Sequence, residues 1–248
     1  MTIKVLVSGA KGRMGQFVVA AVQGDPETEL VAQTDMGDDL AGEISRSGAQ
    51  VVVDFTHPSC VFENTMAIIN AGANPIIGTT GLGPEQIAEL QILCGGMKRG
   101  GLIAPNFAIG AVLMMRFAEL AAPYFDTAEI IEYHHDRKLD APSGTAITTA
   151  NRMAAARGDV PWGADPTEHE VYPGARGGVG PTGIRLHAVR MHGMIAHQDV
   201  ILGALGQSLT IRQDSYDRES FMPGVVLACK RIADHPGLTV GLDRYLGI

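Results

Sequence analysis

Only three cysteines occur in the 248 residues, Cys60, Cys94 and Cys229, and no two of them fall at metal-ligand spacing. Their odd number also argues against a disulfide framework. Aromatic residues are scarce, at 5% with a single tryptophan, and bases are outnumbered: 19 lysines and arginines stand against 27 aspartates and glutamates, a formal charge of −8. That balance excludes the basic footprint of a nucleic-acid binder. It also means that an anionic ligand must be drawn in by a local basic cluster, since the overall field repels it. No apolar run approaches the roughly 20 residues that a membrane-spanning helix needs. Met1-Thr2-Ile3-Lys4 passes into a β-rich run without a signal-peptide pattern, so a cytoplasmic protein with no membrane partner is expected. Repeats and low-complexity tracts are missing too.

What the chain does have is 46% hydrophobic residues, enough for one large or two modest domains. Its first half alternates β-rich runs with helical stretches, the mark of parallel βαβ units. Ile3 to Ser8 reads as strand, Arg13 to Val22 as helix and Glu29 to Thr34 as strand. Val51-Val52-Val53-Asp54-Phe55 is apolar on both faces, as a central buried strand requires. Pro58 to Ala71 reads as helix, Pro75 to Gly78 as strand, Pro84 to Leu93 as a helix with proline in its first turn, and Gly101 to Ala104 as strand.

Directly after the first strand comes Gly9-Ala10-Lys11-Gly12-Arg13-Met14-Gly15, a looser G-x-x-G-x-x-G in place of the stricter G-x-G-x-x-G. Glycines there permit a tight turn and close approach of a pyrophosphate, which the following helix N-terminus stabilises. Asp35 ends the second strand, placed to accept hydrogen bonds from ribose hydroxyls. Later strands end in Phe55-Thr56, Gly78-Thr79-Thr80-Gly81 and Ala104-Pro105-Asn106-Phe107, at the edge where open parallel sheets bind ligands. The expected fold is therefore α/β: an N-terminal Rossmann-like dinucleotide-binding domain over residues 1–106, then an α+β domain with a mixed sheet over residues 107–217.

In the second half, Ala108 to Ala122 reads as an apolar helix stopped by Pro123, with Leu113-Met114-Met115 as core. Thr127 to His134 is a strand that leads into Glu132-Tyr-His-His-Asp-Arg-Lys-Leu-Asp-Ala-Pro-Ser-Gly-Thr-Ala146. His134 and His135 alternate across an extended backbone, so one of them points at any given ligand. Lys138 adds a cation and a proton. Ser143 is a good N-cap for a helix over Gly144 to Arg157, and the N–H groups of Gly144, Thr145 and Ala146 are placed to face an anion. Together these residues suit a small carboxylate that is protonated as it reacts. Pro173 to Gly183 is glycine-dense and reads as a mobile loop without a stable element. Ile184 to Met191, Asp199 to Ala204 and Ser208 to Arg212 continue a β pattern, suggesting a sheet with an apolar face that wants a cover. Glu219 to Ile232 reads as helix, and Leu238-Thr239-Val240 is a short apolar run.

The Glu132–Ala146 stretch resembles the signature of the bacterial 4-hydroxy-tetrahydrodipicolinate (dihydrodipicolinate) reductases, Glu-x-His-His-x-x-Lys-x-Asp-Ala-Pro-Ser-Gly-Thr-Ala, at every fixed position. The likeness extends over nearly the whole chain. It implies hydride transfer from a nicotinamide to C4 of a cyclic, doubly carboxylated imine, with loss of water, in diaminopimelate and lysine biosynthesis. It implies His134 as proton donor and acceptor, Lys138 as proton donor, His135 as a substrate contact, and Gly144 with Thr145 as the grip on a carboxylate. The residues alone leave open which imidazole acts. The resemblance also places Gly78, Thr79, Thr80, Ala104, Pro105, Asn106 and Phe107 beside the nicotinamide half of the cofactor, packs residues 218–248 back on the nucleotide domain, and implies a homotetramer formed through the second sheet. One departure bears on cofactor choice. Some relatives follow the acidic residue with an arginine that holds the 2′-phosphate of NADPH, whereas Asp35 is followed here by Met36-Gly37-Asp38-Asp39. NADH preference is expected, with NADPH tolerated through Lys11 and Arg13. Two rival readings, a dehydrogenase of the aspartate or homoserine type and a non-catalytic NAD sensor, lack respectively a recognisable cysteine nucleophile motif and a use for His134, His135 and Lys138.

Overall fold

The apolar runs of the first half assemble into a parallel sheet. In the computed structural model, which describes residues 2–248, the chain divides into two units, one running to Ile109 and resuming over Arg218–Ile248, the other Gly110–Asp217. The first unit contains β1 (Ile3–Ser8), β2 (Thr28–Thr34), β3 (Val51–Asp54), β4 (Asn74–Ile77) and β5 (Gly100–Ile103). A further strand over Gly237–Val240 joins them, in the order Gly237–Val240, β5, β4, β3, β1, β2, and every pairing is parallel. All four residues of β3 are buried, which explains its lack of apolar–polar alternation. Leu6, Val52, Ile68 and Ile77 share one core cluster. Because the chain adds β2 on one side of β1 and then β3 on the other, the strand order reverses there. The crevice past those two C-termini is where such sheets take ligands.

Helices α1 (Arg13–Gly24), α2 (Leu40–Ser47), α3 (Val61–Asn70) and α4 (Pro84–Met97) connect the strands. The sequence reading missed α2, which carries one fully buried apolar side chain, Ile44. Its boundaries were nonetheless written in the chain: Asp39 Oδ1 accepts from Gly42 N–H at 3.0 Å, and Gly48 closes the helix at φ 67°. The Pro58 to Ala71 helix is shorter than expected, opening at Val61 after a turn. The tail begins with a 3-10 turn over Arg218–Phe221 ahead of a helix over Met222–Arg231. That helix packs on α1, and a Cβ on its Gly224 would lie 2.0 Å from the Phe107 carbonyl oxygen.

The second unit holds most of α5 (Ile109–Ala121), whose Met114 and Met115 are buried, and α6 (Gly144–Ala156). Its sheet comprises β6 (Thr127–His134), β7 (Gly178–Val179), β8 (Arg185–Arg190), β9 (Ala196–Ala204) and β10 (Gln207–Ser215), in the order β10, β9, β6, β8, β7. The pairing is mixed, because β6 runs parallel to β8 and antiparallel to β9. Two expectations are corrected here. The glycine-dense stretch does contain regular structure: β7 pairs with β8, and a 3-10 turn follows over Pro181–Gly183. Glu170 accepts from Gly174 N–H and Arg176 N–H, while Arg176 pairs with Glu129 and Asp165, so side-chain charge organises a backbone that glycine leaves free. The second correction concerns the sheet. One face packs on α6, where Gln198 Nε2 donates to Thr149 Oγ1 at 2.8 Å. The opposite face is mixed: Ile131, Val189 and Ile201 lie on it beside self-paired polar groups, including Tyr133 with Asp199, Arg212 with Asp199, and His187 with Glu129.

Candidate active site

Steric necessity dictates the glycine loop of the first unit. Gly9 has φ +80°, and a Cβ there would lie 2.5 Å from the Phe55 carbonyl oxygen. A Cβ on Gly15 would lie 2.0 Å from the Gly9 oxygen, so α1 can start this close to β1 and β3 only with glycine. Gly9 and Ala10 donate their N–H groups to the Thr34 carbonyl, and Lys11 N–H donates to Asp35 Oδ2 at 2.9 Å. Gly12 stands at the N-cap and supplies no side-chain cap. The helix therefore offers its first-turn amides, those of Arg13, Met14 and Gly15, to an outside anion. Asp35 is held below the usual carboxylate range by the N–H groups of Met36 and Lys11 and by the Lys11 charge. It is thus an ionised acceptor for hydroxyl groups.

Gly9, Gly12 and Asp35 line a cleft of about 530 Å³ with Ser8, Phe55, Thr56, His57 and Asn64. A dinucleotide fits the features seen: glycines that no larger residue could replace, an uncapped helix start and an ionised acid at the end of β2. Sequence reasoning missed Asp54, fully buried at the end of β3. Its Oδ1 accepts from the Thr56 and Thr79 hydroxyls at 2.8 and 2.7 Å, and Oδ2 accepts from Asn64 at 3.0 Å. Thr79, expected among the cofactor contacts, thus turns its hydroxyl inward to brace β3 against β4, while Thr80 is exposed. A Cβ on Gly78 would strike the Phe55 ring at 2.2 Å. That ring lies 5.7 Å from Phe107, so Gly78, Phe55 and Phe107 form one packed group. Asn106 Oδ1 accepts from Ala108 N–H and shapes the turn that carries Ala104 and Pro105.

In the second unit, β6 carries its acid and its imidazoles to one strand end. Glu132 is 1% exposed. It accepts from His134 Nδ1 at 2.5 Å and from both terminal nitrogens of Arg190 at 2.7 Å. Burial would raise its pKa, but the His134 and Arg190 hydrogen bonds overcome that and bring it to about 2. Since an ionised carboxylate only accepts, the His134 proton is assigned to Nδ1, and Nε2 is left for a ligand. His135 has the reverse arrangement: its Nδ1 accepts from Arg137 N–H at 3.2 Å, which puts its proton on Nε2. Lys138 Nζ is bound by both oxygens of Asp140 at 2.8 Å. With Asp140 66% exposed, an entering carboxylate can displace it.

At the head of α6, Ser143 Oγ accepts from Ala146 N–H at 3.1 Å. This corrects one expectation, because the Ala146 amide is spent on the cap and the anion grip narrows to the Gly144–Thr145 end. Gly144 is exposed and an added Cβ would meet nothing within 4 Å. Its small size leaves room that the described residues do not fill. Asp140 lay within the motif but was given no role there. Arg190 had no signal at all, because its partner is 58 residues away. Among the described residues no group of three or more His, Cys, Asp or Glu side chains is placed to hold a metal, and no helix is long and apolar enough to cross a membrane.

Family models for the dihydrodipicolinate reductase N-terminus and C-terminus match residues 3–107 and 110–246. The chain belongs to the dihydrodipicolinate reductase family. Within that family it is 52% identical to the 4-hydroxy-tetrahydrodipicolinate reductase of Corynebacterium aurimucosum over 249 residues, covering 100% of both chains. The reductase of Corynebacterium efficiens is also 52% identical, again with full coverage of both. Among solved structures, a dipicolinate-bound dihydrodipicolinate reductase from Paenisporosarcina sp. TG-14 superposes with a TM-score of 0.90 at 41% identity, over 98% of this chain and 99% of that one. This family membership makes the chain an oxidoreductase with a Rossmann-like nucleotide-binding domain and a mixed-sheet second domain.

Proposed function

We propose that the chain reduces 4-hydroxy-tetrahydrodipicolinate to tetrahydrodipicolinate with loss of water. The observation that carries the proposal is the grouping of His134, Lys138 and the exposed Gly144 helix start around one strand end, in a family whose members are named for this reaction. A nicotinamide dinucleotide held by the Gly9–Gly15 loop and Asp35 would supply a hydride to C4 once the C4 hydroxyl and a C5 proton have left as water to give a conjugated imine. Negative charge then builds on the ring nitrogen, and the chain's task is to balance it and deliver a proton. Lys138, once released from Asp140, supplies a cation and a donor. His134 exchanges a proton at Nε2, while the Glu132 carboxylate against Nδ1 balances the imidazolium. His135 offers Nε2–H to a substrate oxygen, and the Gly144–Thr145 end of α6 receives a carboxylate. Running the reaction with 4-deuterated NADH tests the chemistry: a single deuterium should appear at C4 of the product. A product that carries its deuterium elsewhere, or none with either face labelled, excludes this hydride transfer.

The substrate's two carboxylates predict an inhibitor. Pyridine-2,6-dicarboxylate should compete with substrate and bind more tightly once nucleotide is present. A Gly144→Val, Thr145→Val double variant should weaken it by at least about tenfold, the loss of one charge-assisted contact. Equal calorimetric affinity for both proteins would put the anion site elsewhere.

Asp35, ionised between two amides, favours free ribose hydroxyls and repels a 2′-phosphate, a repulsion that Lys11 and Arg13 soften. NADH should therefore bind as well as NADPH or better. Lys11→Ala with Arg13→Ala should weaken NADPH more than NADH in a fluorescence titration, and a strong NADPH preference that survived the change would defeat the reading.

The remaining parts of the proposal concern setting and assembly. A cytoplasmic location suits three unpaired cysteines. A homotetramer joined through the second unit's sheet is supported by the face opposite α6, whose ion pairs and tyrosine suit a polar contact between copies. Light scattering at micromolar concentration should then give about four times 26.2 kDa. A monomer mass would remove that part of the proposal.

A further inference from the structure

We propose that Glu132 and Arg190 are a positioning pair that decides which nitrogen of His134 carries its proton and ties that imidazole to the start of α6. The kinetic part of this rests on the reductase reading above. Oε2 of Glu132 accepts from His134 Nδ1 and from Arg190 Nη1; Oε1 accepts from Arg190 Nη2 and from Ser143 N–H at 3.1 Å. One buried carboxylate thus grips the imidazole two residues along its own strand and the helix cap eleven residues on. Arg190 extends the tie, since its Nη2 also donates to the carbonyl oxygen of Asp140 at 2.8 Å, the residue that holds Lys138. The imidazole, the lysine's partner and the anion-binding helix end are therefore all fixed to a single ion pair.

The chemistry requires these residue types. A neutral imidazole has two tautomers of similar energy, and the hydrogen bond at one nitrogen selects between them. A carboxylate that can only accept forces Nδ1–H and leaves Nε2 unprotonated. An arginine suits the partner role because its fork meets both carboxylate oxygens, which a lysine's single nitrogen cannot do. If the pair only locked β6 to β8, the tautomer of His134 would not depend on it.

The experiment is two-bond proton–nitrogen NMR on the full chain, labelled with 15N-histidine and measured at alkaline pH. His134→Ala assigns the signal. The wild-type protein should show His134 as Nδ1–H. In Glu132→Gln, the amide NH₂ can donate where the carboxylate accepted, so the signal should move to the Nε2–H form. In the same variant kcat should fall about 10²-fold, the value of one well-set general acid or base, while NADH affinity holds. A wild-type His134 found as Nε2–H overturns the proposal without any variant, and so does a folded Glu132→Gln protein that keeps Nδ1–H. The spectrum needs no turnover. A protein inert toward the substrate yet showing Nδ1–H would count against the reductase reading and leave the positioning pair standing.

Discussion

His134→Ala and Lys138→Ala should each lose about 10²–10⁴-fold in turnover, the range for removing a positioned general acid or base. Both should fold and bind NADH as the unaltered chain does. Neither side chain is part of the core: Lys138 is 20% exposed and pairs with a solvent-facing acid, and His134 reaches its buried partner from a strand end. The residues assigned to nucleotide, from Gly9 to Gly15 with Asp35, belong to the other unit. Loss should therefore appear in kcat with NADH affinity held. Steady-state rates with a parallel NADH fluorescence titration make the check. Near-normal turnover in both variants would move the proton chemistry to other residues, and a matching loss of NADH binding would mean that the substitutions disturb the fold.

Arg190→Ala should be strongly destabilising. It strips the paired cation from a carboxylate that is 1% exposed, and breaking such a pair typically costs about 3–5 kcal/mol. The same pair gives a pH signature. The Glu132 carboxyl falls from 4.5 to about 2 on folding, so its contribution is fully present above pH 4.5 and is lost as pH falls through 2. A drop of that size corresponds to roughly 3 kcal/mol lost across the window. Arg190→Ala removes one source of the depression, so stability should start lower and decline less steeply between pH 4.5 and 2. Urea denaturation at a series of pH values reads both effects. A variant with the unaltered protein's midpoint and acid slope would show that the ion pair contributes nothing net.

Much of this architecture was legible because it is local. The glycine loop, the apolar β3 and the strand-end segments each declare themselves within a few residues, and the Glu132–Ala146 motif is contiguous. What escaped was either polar and self-capped or distant in sequence. Helix α2 has Asp39 and Gly48 at its ends but too few buried apolar side chains to show a period. Asp54 looked like the end of a hydrophobic strand, and only the fold brings the Thr79 and Asn64 side chains to it. Glu132 was visible, but Arg190 is set against it by parallel pairing of β6 with β8, a register that no local pattern encodes. The mixed outer face of the second sheet was misread for the same reason. Alternation within one strand gives two faces, but which of them meets α6 depends on strands far apart in the chain.

The reductase assignment is tested most directly by following NADH absorbance with the purified chain while a synthase generates the unstable 4-hydroxy-tetrahydrodipicolinate in place. Absorbance should fall in proportion to added chain and only when the synthase and both of its substrates are present, and tetrahydrodipicolinate should accumulate mole for mole with NAD⁺. An absorbance trace that stays flat with NADH and with NADPH, for a chain shown by titration to bind the nucleotide, would contradict the assignment.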